Sequence, residues 1–147
     1  MGRKSIKEIE PGAYKAMLGL EKYMEDSIIP PLLLELIKIR ASQINRCAYC
    51  IDMHTQHALS IGESQRRIFA LPAWEESPLF TNDEKAVLQL TEEITLISQN
   101  AVSDKTYAGV LNVYGEQGLA QIITQVIIIN AWNRIAISTQ QVFEYIP

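Results

Sequence analysis

The sequence is poor in several features that mark particular classes of protein. Only two of its 147 residues are cysteines, whereas a small secreted protein held together by disulfides usually has about four or more, well separated. Lysine and arginine are scattered along the chain and the formal net charge is −4. A nucleic-acid binder needs a basic patch to meet phosphates, and none is visible. We therefore exclude a disulfide scaffold and a nucleic-acid-binding protein.

Long hydrophobic runs are also missing. The most apolar stretch, residues 118–132, is interrupted by polar residues such as Gln121 and Asn130, whereas a membrane span needs roughly 20 nearly continuous apolar residues. The basic start of the chain is not followed by the apolar segment of a secretory signal. We therefore expect a cytoplasmic protein without a membrane segment.

What the chain does contain is apolar residues at helical spacing along most of its length. Predicted helices begin near Pro11, Pro31, Cys47, Gln65, Thr81, Ser103 and Glu116. The helix from about Cys47 to Ile61 is expected to stop at Gly62, and Thr81 with Glu84 has the form of a capping box. The β-branched run 127–129 would also suit a strand, but its flanking spacing favours a helix. We predict an all-α fold of about six to seven helices, in one domain over residues 1–147.

The chemistry is expected in one short segment, where Cys47, Cys50 and His54 are spaced i, i+3 and i+7. These positions share one face of a helix, and His54 lies one turn from Cys50. A thiolate is the reactive form of cysteine, and both a neighbouring imidazole and a helix N-terminus favour it. Such a pair can attack a peroxide or a disulfide and end as an intramolecular Cys47–Cys50 bond. Proximity to His54 favours Cys50 as the activated thiol, although the N-terminal cysteine attacks in other two-cysteine motifs.

Two other interpretations of this segment remain open. The cysteines and His54 could be buried packing groups. A zinc site is the second alternative, because His57 lies on the same face. The four side chains span about 15 Å along the helix, too far to gather around one ion, so only a three-ligand site with a distant carboxylate survives. Arg46 could stabilise a thiolate, and His57 is expected to be a polar neighbour of the site or a core histidine.

The spacing of a glutamate extends the motif. Glu35 lies twelve positions before Cys47, and this glutamate followed by Cys-x-x-Cys-x-x-x-His resembles the alkylhydroperoxidase D (AhpD)-like branch of the carboxymuconolactone decarboxylase-like superfamily. Further similarity covers most of residues 30–138, including the segment Asn-Ala-Trp-Asn-Arg of the last helix. Some family members carry a histidine between the cysteines, where this chain has Tyr49, which can hydrogen-bond near the site or pack as a ring.

The resemblance implies a thiol-dependent peroxidase that reduces hydrogen or organic hydroperoxides and is recharged by a thiol or dithiol donor. Glu35 and His54 would then form a proton relay to Cys47 and Cys50, with no cofactor and no metal. It also implies an AhpD-like helical bundle that assembles as a trimer or hexamer. Two alternatives stay open, a thiol–disulfide exchange adaptor for another peroxidase and a lactone-processing enzyme. The decarboxylases of the superfamily do not depend on a cysteine pair, so the two cysteines argue against the latter.

Overall fold

The structure, a computed structural model, describes residues 2–145. Within these residues the chain forms α-helices and no strand, which confirms the predicted all-α class. The helices are α1 (Ile6–Ile9), α2 (Pro11–Met24), α3 (Pro31–Asn45), α4 (Ala48–Ser60), α5 (Gln65–Ala70), α6 (Asn82–Thr95) and α7 (Asp104–Ser138). A short 3₁₀ turn, Leu71–Ala73, follows α5.

Most helix starts follow the local signals in the sequence. Pro31 occupies the first turn of α3, where its missing N–H needs no partner. The predicted capping box at the start of α6 is present, because Thr81 accepts from the backbone of Glu84 and the Glu84 side chain accepts from the backbone of Thr81. Ser103 caps α7 as a single N-cap residue, without a capping box. The short helix α1, capped by Ser5, was not predicted.

The last two predicted helices are joined without an intervening loop. Gly115 lies within α7 at φ 68° and ψ 179°, a conformation that breaks the helical path and that residues with a Cβ rarely adopt. The segment 127–129 is helical, so the prediction of a helix rather than a strand is confirmed. None of the helices in residues 2–145 is long and apolar enough to cross a membrane.

Helix α3 lies at the centre of the packing. It contacts α4, α6 and α7, and residues 33–37 are buried without interruption, because a central helix has no face left for solvent. Leu36, Ile37 and Ile39 are fully enclosed. Glu35 stands in the middle of this buried run, so the packing of α3 against α4 forces a carboxylate into the interior.

Candidate functional site

The cysteine pair lies at the sharp turn between α3 and α4. Arg46 adopts the left-handed conformation, with φ 57° and ψ 42°, and ends α3. Cys47 is the N-cap of α4, and its Sγ accepts a hydrogen bond from the backbone N–H of Cys50 at 3.3 Å. Cys47 and Cys50 are joined by a disulfide bond and are 1% and 2% exposed. The pair is therefore buried at a helix N-terminus, where the helix dipole favours a thiolate.

A set of amide side chains ties this turn to α7. Asn45, the last residue of α3, donates from Nδ2 to the Oδ1 atoms of Asn130 and Asn133, each at 2.9 Å. The buried Asn133 in turn donates to the hydroxyl of Ser42 at 3.0 Å. These bonds satisfy polar groups that burial would otherwise leave unpaired, and they hold the residues preceding Cys47 in place.

The structure brings Glu35 and His54 together across the α3–α4 interface. The Nδ1 of His54 lies 3.0 Å from Oε2 of Glu35. Because an ionised carboxylate only accepts hydrogen bonds, the Nδ1 of His54 is the donor in this contact. The glutamate thus orients the ring and selects the neutral tautomer in which Nε2 is the nitrogen that can accept a proton.

Glu35 is held as a carboxylate despite being 2% exposed. Burial by itself would raise its pKa, but the hydrogen bond with His54 and the charge of Lys38 lower the pKa to about 2. The Nζ of Lys38 lies 2.7 Å from Oε1, and the Nδ1 of His57 lies 3.1 Å from the same oxygen. The carboxylate is therefore hydrogen-bonded to His54 and Lys38, and a third nitrogen, that of His57, lies close to it.

The three supporting residues named from the sequence occupy different positions. Tyr49 is half-buried and packs against the cluster that contains both cysteines. His57 is a polar neighbour of the site, with its side chain 55% exposed and its ring against Glu35. Arg46 is exposed, and none of the ion pairs within residues 2–145 includes it. Its backbone conformation, which turns the chain into α4, is its visible contribution.

A cavity of about 260 Å³ opens beside the disulfide. Helix α4 contributes one wall, through Tyr49, Cys50, Met53 and His54. Cys47 does not line the cavity. A molecule in the cavity therefore contacts the disulfide at Cys50, and His54 lines the same cavity.

The rest of the lining was not predicted from the sequence. It includes Tyr14, Leu18 and Glu21 of α2 and Trp132 of α7. The indole N–H of Trp132 donates to Oε1 of Glu21 at 2.8 Å, and the Tyr14 ring meets the Trp132 ring edge-on with centroids 5.5 Å apart. Trp132 stands in the similar segment of the last helix, but nothing in the local pattern of α2 shows that it faces the cysteines.

The geometry of the site does not favour the zinc alternative. Within the part of the chain that the structure describes, no group of three or more His, Cys, Asp or Glu side chains could hold a metal ion. The two cysteines are bonded to each other, and both histidines contact Glu35.

The sequence is similar to a known family and to a bacterial protein over most of its length. The family model of the carboxymuconolactone decarboxylase family matches residues 11–93, a segment that includes α2, Glu35 and the cysteine motif. YdfG of Bacillus subtilis (strain 168), an uncharacterized protein, is 45% identical over 136 residues, which is 92% of either chain.

Solved structures agree with this match. ATU0492 from Agrobacterium tumefaciens, a protein of unknown function provisionally described as the antioxidant defence protein AhpD, superposes with a TM-score of 0.94. It is 31% identical, and the match covers 99% of this chain and 100% of that one. The debrominase Bmp8 shares the fold alone, with a TM-score of 0.81 at 19% identity over 93% of this chain and 74% of that one. The chain belongs to the carboxymuconolactone decarboxylase family, in its AhpD-like branch.

Proposed function

We propose that this protein is a thiol-dependent peroxidase that reduces hydroperoxides through Cys47 and Cys50. One observation carries the proposal: Cys50 and His54 face the same cavity, and the ring of His54 is bonded to a buried, ionised Glu35. A dithiol that is merely a packing group needs neither a cavity nor an oriented base.

The reaction follows from these positions. In the reduced protein, Nε2 of His54 takes the proton of the Cys50 thiol. The thiolate attacks the terminal oxygen of ROOH, the O–O bond breaks, and Cys50 becomes a sulfenic acid. The leaving alkoxide takes the proton back from His54 and departs as ROH.

Resolution uses the second cysteine. The sulfur of Cys47 attacks the sulfenic sulfur of Cys50, the S–O bond breaks, and the hydroxide leaves as water with the proton of the Cys47 thiol. The product is the disulfide observed here. Two external thiols, or one dithiol, then reduce this bond and are themselves oxidised to a disulfide.

Burial favours the peroxidase over a disulfide-exchange adaptor. An adaptor must bring the disulfide of another protein into line with its own thiolate. Both cysteines are at most 2% exposed, and the cavity of about 260 Å³ is small for a protein loop. A hydroperoxide needs much less space.

The proposal is tested by counting thiols. Fully reduced protein is mixed with sub-stoichiometric cumene hydroperoxide, and free thiols are titrated before and after. We expect two thiols to be lost for each hydroperoxide consumed, with mass mapping of a Cys47–Cys50 bond and one equivalent of cumyl alcohol. If the hydroperoxide persists while an added protein disulfide is reduced, the adaptor replaces the peroxidase.

We further propose that the chain assembles into a trimer or hexamer. An apolar groove of about 590 Å³ runs between α6 and α7, and the side chain of Ile127 beside it is 54% exposed. Exposed apolar patches on helices commonly mark interfaces. Light scattering coupled to size-exclusion chromatography should give three or six times the chain mass, and a monomeric mass would contradict this.

A further inference from the structure

The wall that α2 contributes to the cavity carries a charge with no evident part in the peroxide chemistry. Glu21 lines the cavity together with Tyr14 and Leu18 of α2, whereas Cys50 and His54 line it from α4. Its Oε1 accepts the indole hydrogen bond of Trp132, which fixes the carboxylate against the cavity wall.

No basic side chain among the described lining residues pairs with this carboxylate. Among the described residues that line the cavity, none is lysine or arginine, and the basic side chain is His54, which is engaged with Glu35. Lys7 lies with its Nζ 5.7 Å from the centre of the Tyr14 ring, but it is exposed and does not line the cavity. An anion entering the cavity therefore meets one carboxylate and no fixed cation.

The rest of the lining is mostly aromatic and aliphatic. Tyr49, Met53 and Ala136 surround the Tyr14–Trp132 pair, and the uncharged amide of Gln141 is the one further polar side chain among the described lining residues. The volume of about 260 Å³ is just below the range of roughly 300–1,000 Å³ that is usual for drug-sized ligands. The space thus suits a single ring or a short alkyl chain.

We propose that α2 is the selectivity wall of the site, with Glu21 as the residue that rejects anions. The cavity then takes small, uncharged hydroperoxides with an apolar tail and discriminates against those whose tail ends in a carboxylate. This inference rests on the proposed peroxidase function for its substrate, but the preference of the cavity for neutral ligands can be measured without turnover.

Glutamine at position 21 makes a sharp test. Glu21→Gln removes the charge, while the amide oxygen can still accept the hydrogen bond from Trp132. Glu25→Gln is the matched control, because it removes the same charge from an exposed side chain that does not line the cavity.

Cumene hydroperoxide and its para-carboxylate derivative are compared as substrates. We expect the kcat/KM of the anionic substrate divided by that of the neutral substrate to rise about tenfold in Glu21→Gln, because the repulsion between two like charges in a partly shielded cleft is of this size. In Glu25→Gln the ratio should stay within about twofold of the original, because exposed charges are well screened. An unchanged ratio in Glu21→Gln would overturn the inference.

A binding measurement separates this inference from the peroxidase proposal. Cumyl alcohol and its para-carboxylate derivative are titrated into the disulfide form, and binding is followed by the fluorescence of Trp132, with Trp132→Phe to identify the signal. We expect the neutral alcohol to bind about tenfold more tightly, and Glu21→Gln to abolish the difference. Equal affinities in the unsubstituted protein would overturn the inference. A preference for the neutral alcohol without any peroxide turnover would instead refute the peroxidase function alone.

Discussion

Replacing Glu35 by glutamine should remove a part of the folding stability that depends on pH. Burial raises the pKa of this carboxyl, but its bond with His54 and the charge of Lys38 bring the pKa down to about 2. The fall from the ordinary value of 4.5 to about 2 corresponds to about 3 kcal/mol of stability at neutral pH. The side chain is 2% exposed, so solvent screens these interactions little.

The direction of the pH dependence follows from the lowered pKa. At neutral pH the Glu35 carboxyl is ionised in both the folded and the unfolded chain, so its whole contribution is present. As the pH falls below 4.5 the unfolded chain binds the proton first, and the contribution is lost until the pH reaches about 2. By about pH 3, about 2 kcal/mol of it should be gone.

The assay is urea unfolding of the disulfide form, followed by far-ultraviolet circular dichroism at neutral pH and at about pH 3. The difference in unfolding free energy between the unsubstituted protein and Glu35→Gln should shrink by about 2 kcal/mol at the lower pH. Glu25→Gln controls for the change in net charge. A difference that is the same at both pH values would show that Glu35 is not held ionised by its neighbours.

Three further predictions concern the cysteines, the base and the fold. Cys50→Ser should abolish hydroperoxide consumption, whereas Cys47→Ser should react once and leave a sulfenic acid on Cys50 that dimedone traps. A dimedone adduct on Cys47 in the Cys50→Ser variant would instead reverse the assignment. His54→Gln should slow the reaction of the reduced protein with hydroperoxide by about 10²–10⁴-fold in stopped-flow measurements, because no base remains beside Cys50; an unchanged rate would remove His54 from the mechanism. Gly115→Ala should lower the unfolding free energy by about 1–3 kcal/mol in urea titration, because φ 68° with ψ 179° strains any side chain; equal stability would mean that the kink relaxes at no cost.

Local patterns in the sequence were sufficient for most of the helices. Capping residues such as Thr81 and Ser103, and Pro31 in a first turn, act within four residues of the chain, so they can be recognised without knowledge of the fold. The Cys47-x-x-Cys50-x-x-x-His54 motif is equally local, because helical spacing alone places its members on one face. A break near Gly115 was likewise predicted, since one helix was expected to start at Ser103 and the next at Glu116, but the pattern did not show that the two helices join without a loop.

The contacts that make the site specific depend on helices far apart in the sequence. Glu35 was placed opposite His54 by family spacing, but only the packing of α3 on α4 shows the carboxylate buried with Lys38 and His57 around it. The bond between Glu21 and Trp132 spans 111 positions. No periodicity encodes such a pair, because the spacing of apolar residues shows which face of a helix is buried and not which helix covers it. The sequence by itself therefore determined the helices and the dithiol motif, whereas tertiary packing decided that α2 walls the cavity and that Cys50 faces it.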